Sequence, residues 1–301
     1  MNGGMIVDTT ALQSLSRTYP EGNPSDERRD TVAIRQFAAD NGFSYCMRDD
    51  SLVSHGLADS EHAPAWLGES YALGKQAYHV VSGQIAGYAC TLFIVWENQV
   101  NGVFYSNPTP EQQQRYAAQQ SRGIVRVQLP KVFPQVFLDS NKNDRSIFGA
   151  MKMSSVWVGY QRDQQLPLEG NFAEYFDFYS PKGLHVNTLS LIAPNFMAIL
   201  QDHAHAFDVE FYGNEMILVT KLSLYTPETM AILEQALVEQ LTYLDRLMPS
   251  WNYTPLEPPF DRLEKGGTSL FKIGRFRISP LLFVVLFMAI VIVLIIVFWS
   301  R

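Results

Sequence analysis

Along the chain the spacing of apolar positions switches between a period of two and a period near 3.6, and it ends in a run with no polar position at all. Residues 25–41 carry the longer period. Ser25 is placed to cap a helix there, and Asn41-Gly42 ends it. Residues 74–106 carry the shorter one. In Ala86–Trp96 both alternating faces are apolar, which marks a strand buried on both sides, and the stretch Gly83–Gly87 supplies the turn before it. GIVRVQLP and PQVFLDS predict two further short strands with Lys131-Val132-Phe133 between them, and MSSVWVGY another. A helical stretch over 184–203 is broken by Pro194. The clearest hairpin follows. Phe207, Val209 and Phe211 alternate with Asp208 and Glu210, Gly213-Asn214 makes a two-residue turn, and MILVT returns. Thr226 then caps, and Pro227 opens, a helix over 227–247. Its stripe is Met230, Leu233, Leu237, Leu241, Leu244 and Met248, suited to packing on the sheet or to a coiled-coil dimer.

Strands that follow one another without intervening helices predict an α+β fold with mainly antiparallel sheet and a long helix after the last hairpin. The expected organisation is a loose N-terminus over 1–24 and a globular region over 25–248, as one body or two lobes split near 142–165. A Pro/Gly-rich, then basic, linker over 249–279 and a membrane helix over 280–299 complete it.

From Leu281 to Trp299 all 19 residues are apolar, and 16 of them are Leu, Ile, Val or Phe. As a helix this run covers ~28 Å, close to the hydrocarbon thickness of a bilayer. Its insertion is favourable by up to ~5–10 kcal/mol. Lys265, Lys272, Arg275 and Arg277 precede it and only Arg301 follows, while the N-terminus lacks the pattern of a signal peptide. The expected topology is single-pass and tail-anchored in the cell inner membrane, with the N-terminal domain in the cytoplasm. The run holds no ionisable residue and no G-x-x-x-G, so it reads as a tether.

Charge sharpens this picture. The chain carries −7 overall, yet residues 261–301 hold six basic and two acidic residues. An acidic domain therefore stands on a basic stem. That argues against nucleic acid and suits anionic headgroups. The two cysteines, Cys46 and Cys90, form no C-x-x-C and are expected as reduced thiols; Cys90 sits in an apolar strand.

Catalytic motifs are sparse. Gly68 to Lys75 approaches a phosphate loop but has one residue too many, and Gln76 stands where a hydroxyl must hold Mg²⁺. One local cluster has metal-ligand chemistry: Asp202, His203, His205 and Asp208. On a strand, His203 and His205 would face the same way and Asp208 could complete a site. The aromatic set Phe172, Tyr175, Phe176, Phe178 and Tyr179 reads either as core or as a recognition surface.

Leu168–Phe172, Tyr175-Phe176, Tyr179–Pro181, Ala193-Pro194 with Phe196-Met197, Asp208–Glu210 and Gly213-Asn214 form a spaced pattern. Upstream of it stand Val80–Gly83, Gln128–Pro130, Phe133-Pro134 and Leu138-Asp139. Across roughly 67–220 this pattern resembles the DUF3137-like group of bacterial membrane-associated proteins, except that Ala193 stands where Thr is expected. That group has no established activity, so the resemblance implies no catalytic residue.

The expectation from sequence is thus a non-enzymatic module that binds a protein or peptide at the inner membrane face and needs no cofactor. Strand edges or the aromatic set would supply the docking surface. The alternatives are an enzyme with an unrecognised, metal-dependent site at His203 and His205, and a structural envelope component that oligomerises through the 227–247 helix.

Overall fold

The computed structural model describes residues 7–14, 29–53, 75–97, 122–143, 145–148, 151–153, 159–256, 262–267, 271–273 and 276–278. The apolar run 281–299 lies outside them. Among the described residues no helix is long and apolar enough to cross a membrane.

The fold is α+β and mainly antiparallel, as the sequence predicts. Its principal sheet contains β1 (Ser44–Arg48), β2 (Lys75–Ile85), β3 (Tyr88–Glu97), β4 (Arg122–Ser140), β8 (Gln165–Leu166), β9 (Phe176–Tyr179) and β10 (Asp208–Thr220). A second sheet joins β5 (Arg145–Phe148) and β6 (Met151–Met153) to β12 (Phe271–Ile273) and β13 (Phe276–Ile278). A short pair links β7 (Gly159–Tyr160) to β11 (Lys265–Gly267). The helices are α1 (Arg29–Asp40), α2 (His185–Leu191), α3 (Pro194–Ile199) and α4 (Pro227–Leu247). Strands from both sides of the 142–165 stretch belong to the principal sheet.

The centre of that sheet is a nested pair. Gly123–Gln128 of β4 pairs with Glu215–Thr220 of β10, and Val136–Leu138 pairs with Val209–Phe211. A straight strand of β10's length would hold its ends ~40 Å apart. Instead the Asn143 amide nitrogen reaches both Asp208 Oδ2 (3.1 Å) and the Val219 carbonyl (2.9 Å), and the Thr220 hydroxyl donates to the Ala206 carbonyl (3.2 Å). So β10 doubles back at Gly213-Asn214, where Gly213 has φ +60°, which is the turn the sequence predicts. The chain of β4 arches around that tip. Its register slips where Leu129 to Val132, with Pro130, have no pairing position in β10, which is where two strands are predicted with a break between them. β3 flanks the first arm of β4 and β9 the second. The outer strands are β1 and β8.

Both faces are buried. On one, Leu92, Ile94, Val125, Val127, Val136, Leu138, Val209 and Leu218 pack under the helices. On the other, Phe93, Val95, Ile124, Ile217 and Val219 form a second cluster, and Phe137, Tyr160, Tyr179 and Leu263 a third. The two-faced apolar pattern of β3 follows from this. The β2–β3 turn is Ala86-Gly87, with φ of 52° and 83°. Gly83 lies inside β2 and not in the turn, where its missing side chain makes room for Phe43: a Cβ there would stand 2.0 Å from the Phe43 ring.

The Thr226 side chain accepts the Thr229 N–H at 3.2 Å and caps α4, and all six residues of its apolar stripe are buried against the sheet and α3. That stripe is consumed within the chain, so a dimer seam along it is overturned.

Candidate functional site

The histidine–aspartate cluster does not assemble. Pro194 starts α3, and the helical path continues through a π turn, Leu200–Ala204, to His205 in helical geometry. His203 and His205 therefore sit on a helix, where positions i and i+2 diverge, and not on the strand that would align them. His205 Nδ1 lies 2.8 Å from the Gln201 carbonyl, which can only accept, so Nδ1 carries the proton. Asp208 is fully buried and committed elsewhere. It accepts the Ser140 backbone N–H at 2.8 Å and the Asn143 amide at 3.1 Å. Asp202 is exposed. Among the described residues no group of three or more His, Cys, Asp or Glu side chains is placed to hold a metal.

The aromatic set is core. Phe172, Phe176, Phe178 and Tyr179 are buried, with Phe172 and Phe176 stacked at 5.2 Å, and only Tyr175 is half-buried. Cys90 is buried, which pushes its thiol pKa up to about 11, whereas Cys46 is exposed on β1.

What the residues do bring together is a buried polar layer that clasps the chain after α4. Trp251 stacks on Phe133 (4.9 Å), and its ring N–H donates to the Val132 carbonyl at 3.0 Å. Residues 262–264 then cross the second face of the sheet. There Gln135 bridges two partners: its amide nitrogen donates to Glu210 Oε1 (2.8 Å) and its carbonyl accepts the Leu263 N–H (3.0 Å). Gln164 accepts the Glu264 N–H at 2.9 Å, Lys182 pairs with Glu264 at 3.1 Å, and the Arg262 guanidinium sits 4.3 Å over the Tyr212 ring. Tyr160 packs between Phe137 and Tyr179 at 5.6 Å from each. Burial, reinforced by the negative charge of Glu210 and Asp139, holds its phenol well above the usual pKa, so it stays neutral. Asp139 and Glu210 are solvent-excluded. This layer fastens a segment; it does not present an acid or base to a substrate. The prolines and glycines of this region have the composition of a linker, yet they hide two buried anchors, Trp251 and Leu263.

Surface features among the described residues include a cleft and a sheet edge. A cleft of 540 Å³ lies between α3 and α4, lined by Asn195, Ala198, Glu239, Thr242, Tyr243 and Arg246. β1 forms the other. It pairs only with β2 among the described residues, and Ser44, Cys46 and Arg48 are exposed along it.

No family model and no curated protein matches the chain. Among solved structures it is similar to the mycobacterial trehalose monomycolate transport factor A, TtfA, at 12% identity and a TM-score of 0.44, covering 75% of this chain and 98% of that one.

Proposed function

We propose that this chain is a tail-anchored module of the cytoplasmic membrane face that binds a protein or peptide partner along β1. The tether rests on the sequence: 19 apolar residues behind a basic stem. The observation that carries the binding reading is the exposed outer strand Ser44–Arg48, whose second side meets no strand among the described residues. An added strand is the natural occupant of such a side, because main-chain groups supply affinity and alternate side chains supply selectivity. Cys46 stands on this strand and gives a selective handle, since the Cys90 thiol is buried.

The test places a photo-crosslinker on Cys46 of the full-length protein in native membranes. A discrete adduct at Cys46, absent when the label is moved to the Glu239→Cys, Cys46→Ser variant, supports docking at β1. Equal adducts from both positions, or none, remove the reading.

A further inference from the structure

The small sheet of β5, β6, β12 and β13 unites two segments about 120 residues apart in sequence, and its register sorts them by chemistry. Lys272 stands opposite Lys152 on one side and Arg277 on the other, and Ser146 pairs with Lys152. Opposite positions in antiparallel strands share a face. One face of this sheet therefore carries positions 146, 152, 272 and 277, three of them basic. The other carries Phe271, Ile273, Phe276, Ile278, Met151, Met153, Phe148 and Arg145. None of the paired positions is acidic, in a chain whose net charge is −7. Only Ser279 and Pro280 separate β13 from the start of the apolar run, a reach of at most ~10 Å.

We infer that this sheet is an amphipathic element that lies in the membrane interface and binds anionic lipid headgroups through Lys152, Lys272 and Arg277. The inference rests on the tether of the proposed function for its location. It goes beyond it in making the lipid contact a folded surface that includes Lys152, far from the stem in sequence. An alternating apolar and basic sheet suits the boundary between acyl chains and headgroups, as an amphipathic helix does. The acidic remainder of the chain is repelled by the same leaflet. Because 262–267 are fastened to the principal sheet through Gln135, Gln164 and β7, a lipid-bound stem sets the orientation of the whole domain.

The test uses the full-length chain, mixed from detergent into vesicles of phosphatidylcholine alone or phosphatidylcholine doped with phosphatidylglycerol. Flotation and amide hydrogen exchange over 145–153 and 271–278 are both read. Each basic residue near an anionic surface contributes about fivefold in partitioning. The expected result is flotation with both vesicles. Protection of the two segments should rise with phosphatidylglycerol, fall in high salt, and drop roughly 25-fold in Lys152→Gln/Lys272→Gln while persisting in Lys152→Arg/Lys272→Arg. Flotation with both vesicles but protection indifferent to phosphatidylglycerol and salt overturns the lipid site and leaves the tether standing. Flotation with anionic vesicles alone overturns the tether and leaves the lipid site. Flotation with neither overturns both.

Discussion

Asn143 is the residue whose loss the nested sheet should feel most for its size. It is buried, and its three hydrogen bonds tie the end of β4 to both ends of β10: to Asp208 Oδ2 at 3.1 Å, to the Val219 carbonyl at 2.9 Å, and from the Lys221 N–H at 2.9 Å. Two of these are neutral bonds, about 1 kcal/mol each, and the one to a carboxylate contributes about 1.5–3 kcal/mol. Asn143→Ala should therefore destabilise the protein by about 3–5 kcal/mol. That corresponds to a fall in melting temperature of about 8–15 °C for a domain of this size. Urea unfolding of the full-length protein in detergent, followed by tryptophan fluorescence, measures it. Asn143→Asp separates the hydrogen bonds from mere packing. Its added carboxyl would face that of Asp208 in a buried site, so its folded pKa is raised above the unfolded value of about 4. The penalty is then absent below that value and grows as pH rises through the folded pKa. The gap to wild type should narrow on acidification. A loss under about 0.5 kcal/mol for Asn143→Ala, or a gap that does not depend on pH, would refute the keystone reading.

Further outcomes follow from single contacts. Thr226→Ala removes the α4 cap and should cost about 1 kcal/mol, seen as a drop of about 2–4 °C, while Thr226→Ser retains most of it. Leu237→Ala in the buried stripe should cost about 2–5 kcal/mol, against under 0.5 kcal/mol for the exposed Ile232→Ala; equal effects would mean that the helix packs differently. A thiol reagent at neutral pH should modify Cys46 alone in the native protein and Cys90 only after unfolding, since burial holds that thiol near a pKa of about 11; mass spectrometry counts the adducts. Gly83→Ala places a methyl against the Phe43 ring and should cost about 1–3 kcal/mol, recovered in part by Phe43→Leu.

Much of the fold is legible in the sequence because local signals agree with the global arrangement. The Thr226-Pro227 start, the break at Pro194 and the Gly213-Asn214 turn are each set by backbone chemistry within a few residues. Residues of the spaced pattern over 67–220 serve the same ends: Phe172 and Phe176 fill the core, Gly170 has φ +68°, and Pro194 starts a helix. What is hidden depends on distance along the chain. Asn143 lies in a polar stretch that reads as loop, and nothing near it announces that Asp208 and Val219 will close around it. His203 and His205 mislead for a related reason: period alone does not reveal that the helix from Pro194 runs on through a π turn before β10 begins. The clasp on Leu263 escapes because its receptors, Gln135 and Gln164, are isolated glutamines in unrelated segments.

The nesting of β10 within β4 also fixes an order of events during synthesis. The strands that border the gap are made some 70 residues or more before the hairpin that fills it. Until Thr220 has left the ribosome, the inner edges of the flanking arms have no strand partner, and the closing pairs are the most distant in sequence within the principal sheet. A nascent chain that pauses between Ser140 and Asp208 thus presents two open strand edges at once, and mispairing in that interval competes with closure of the sheet.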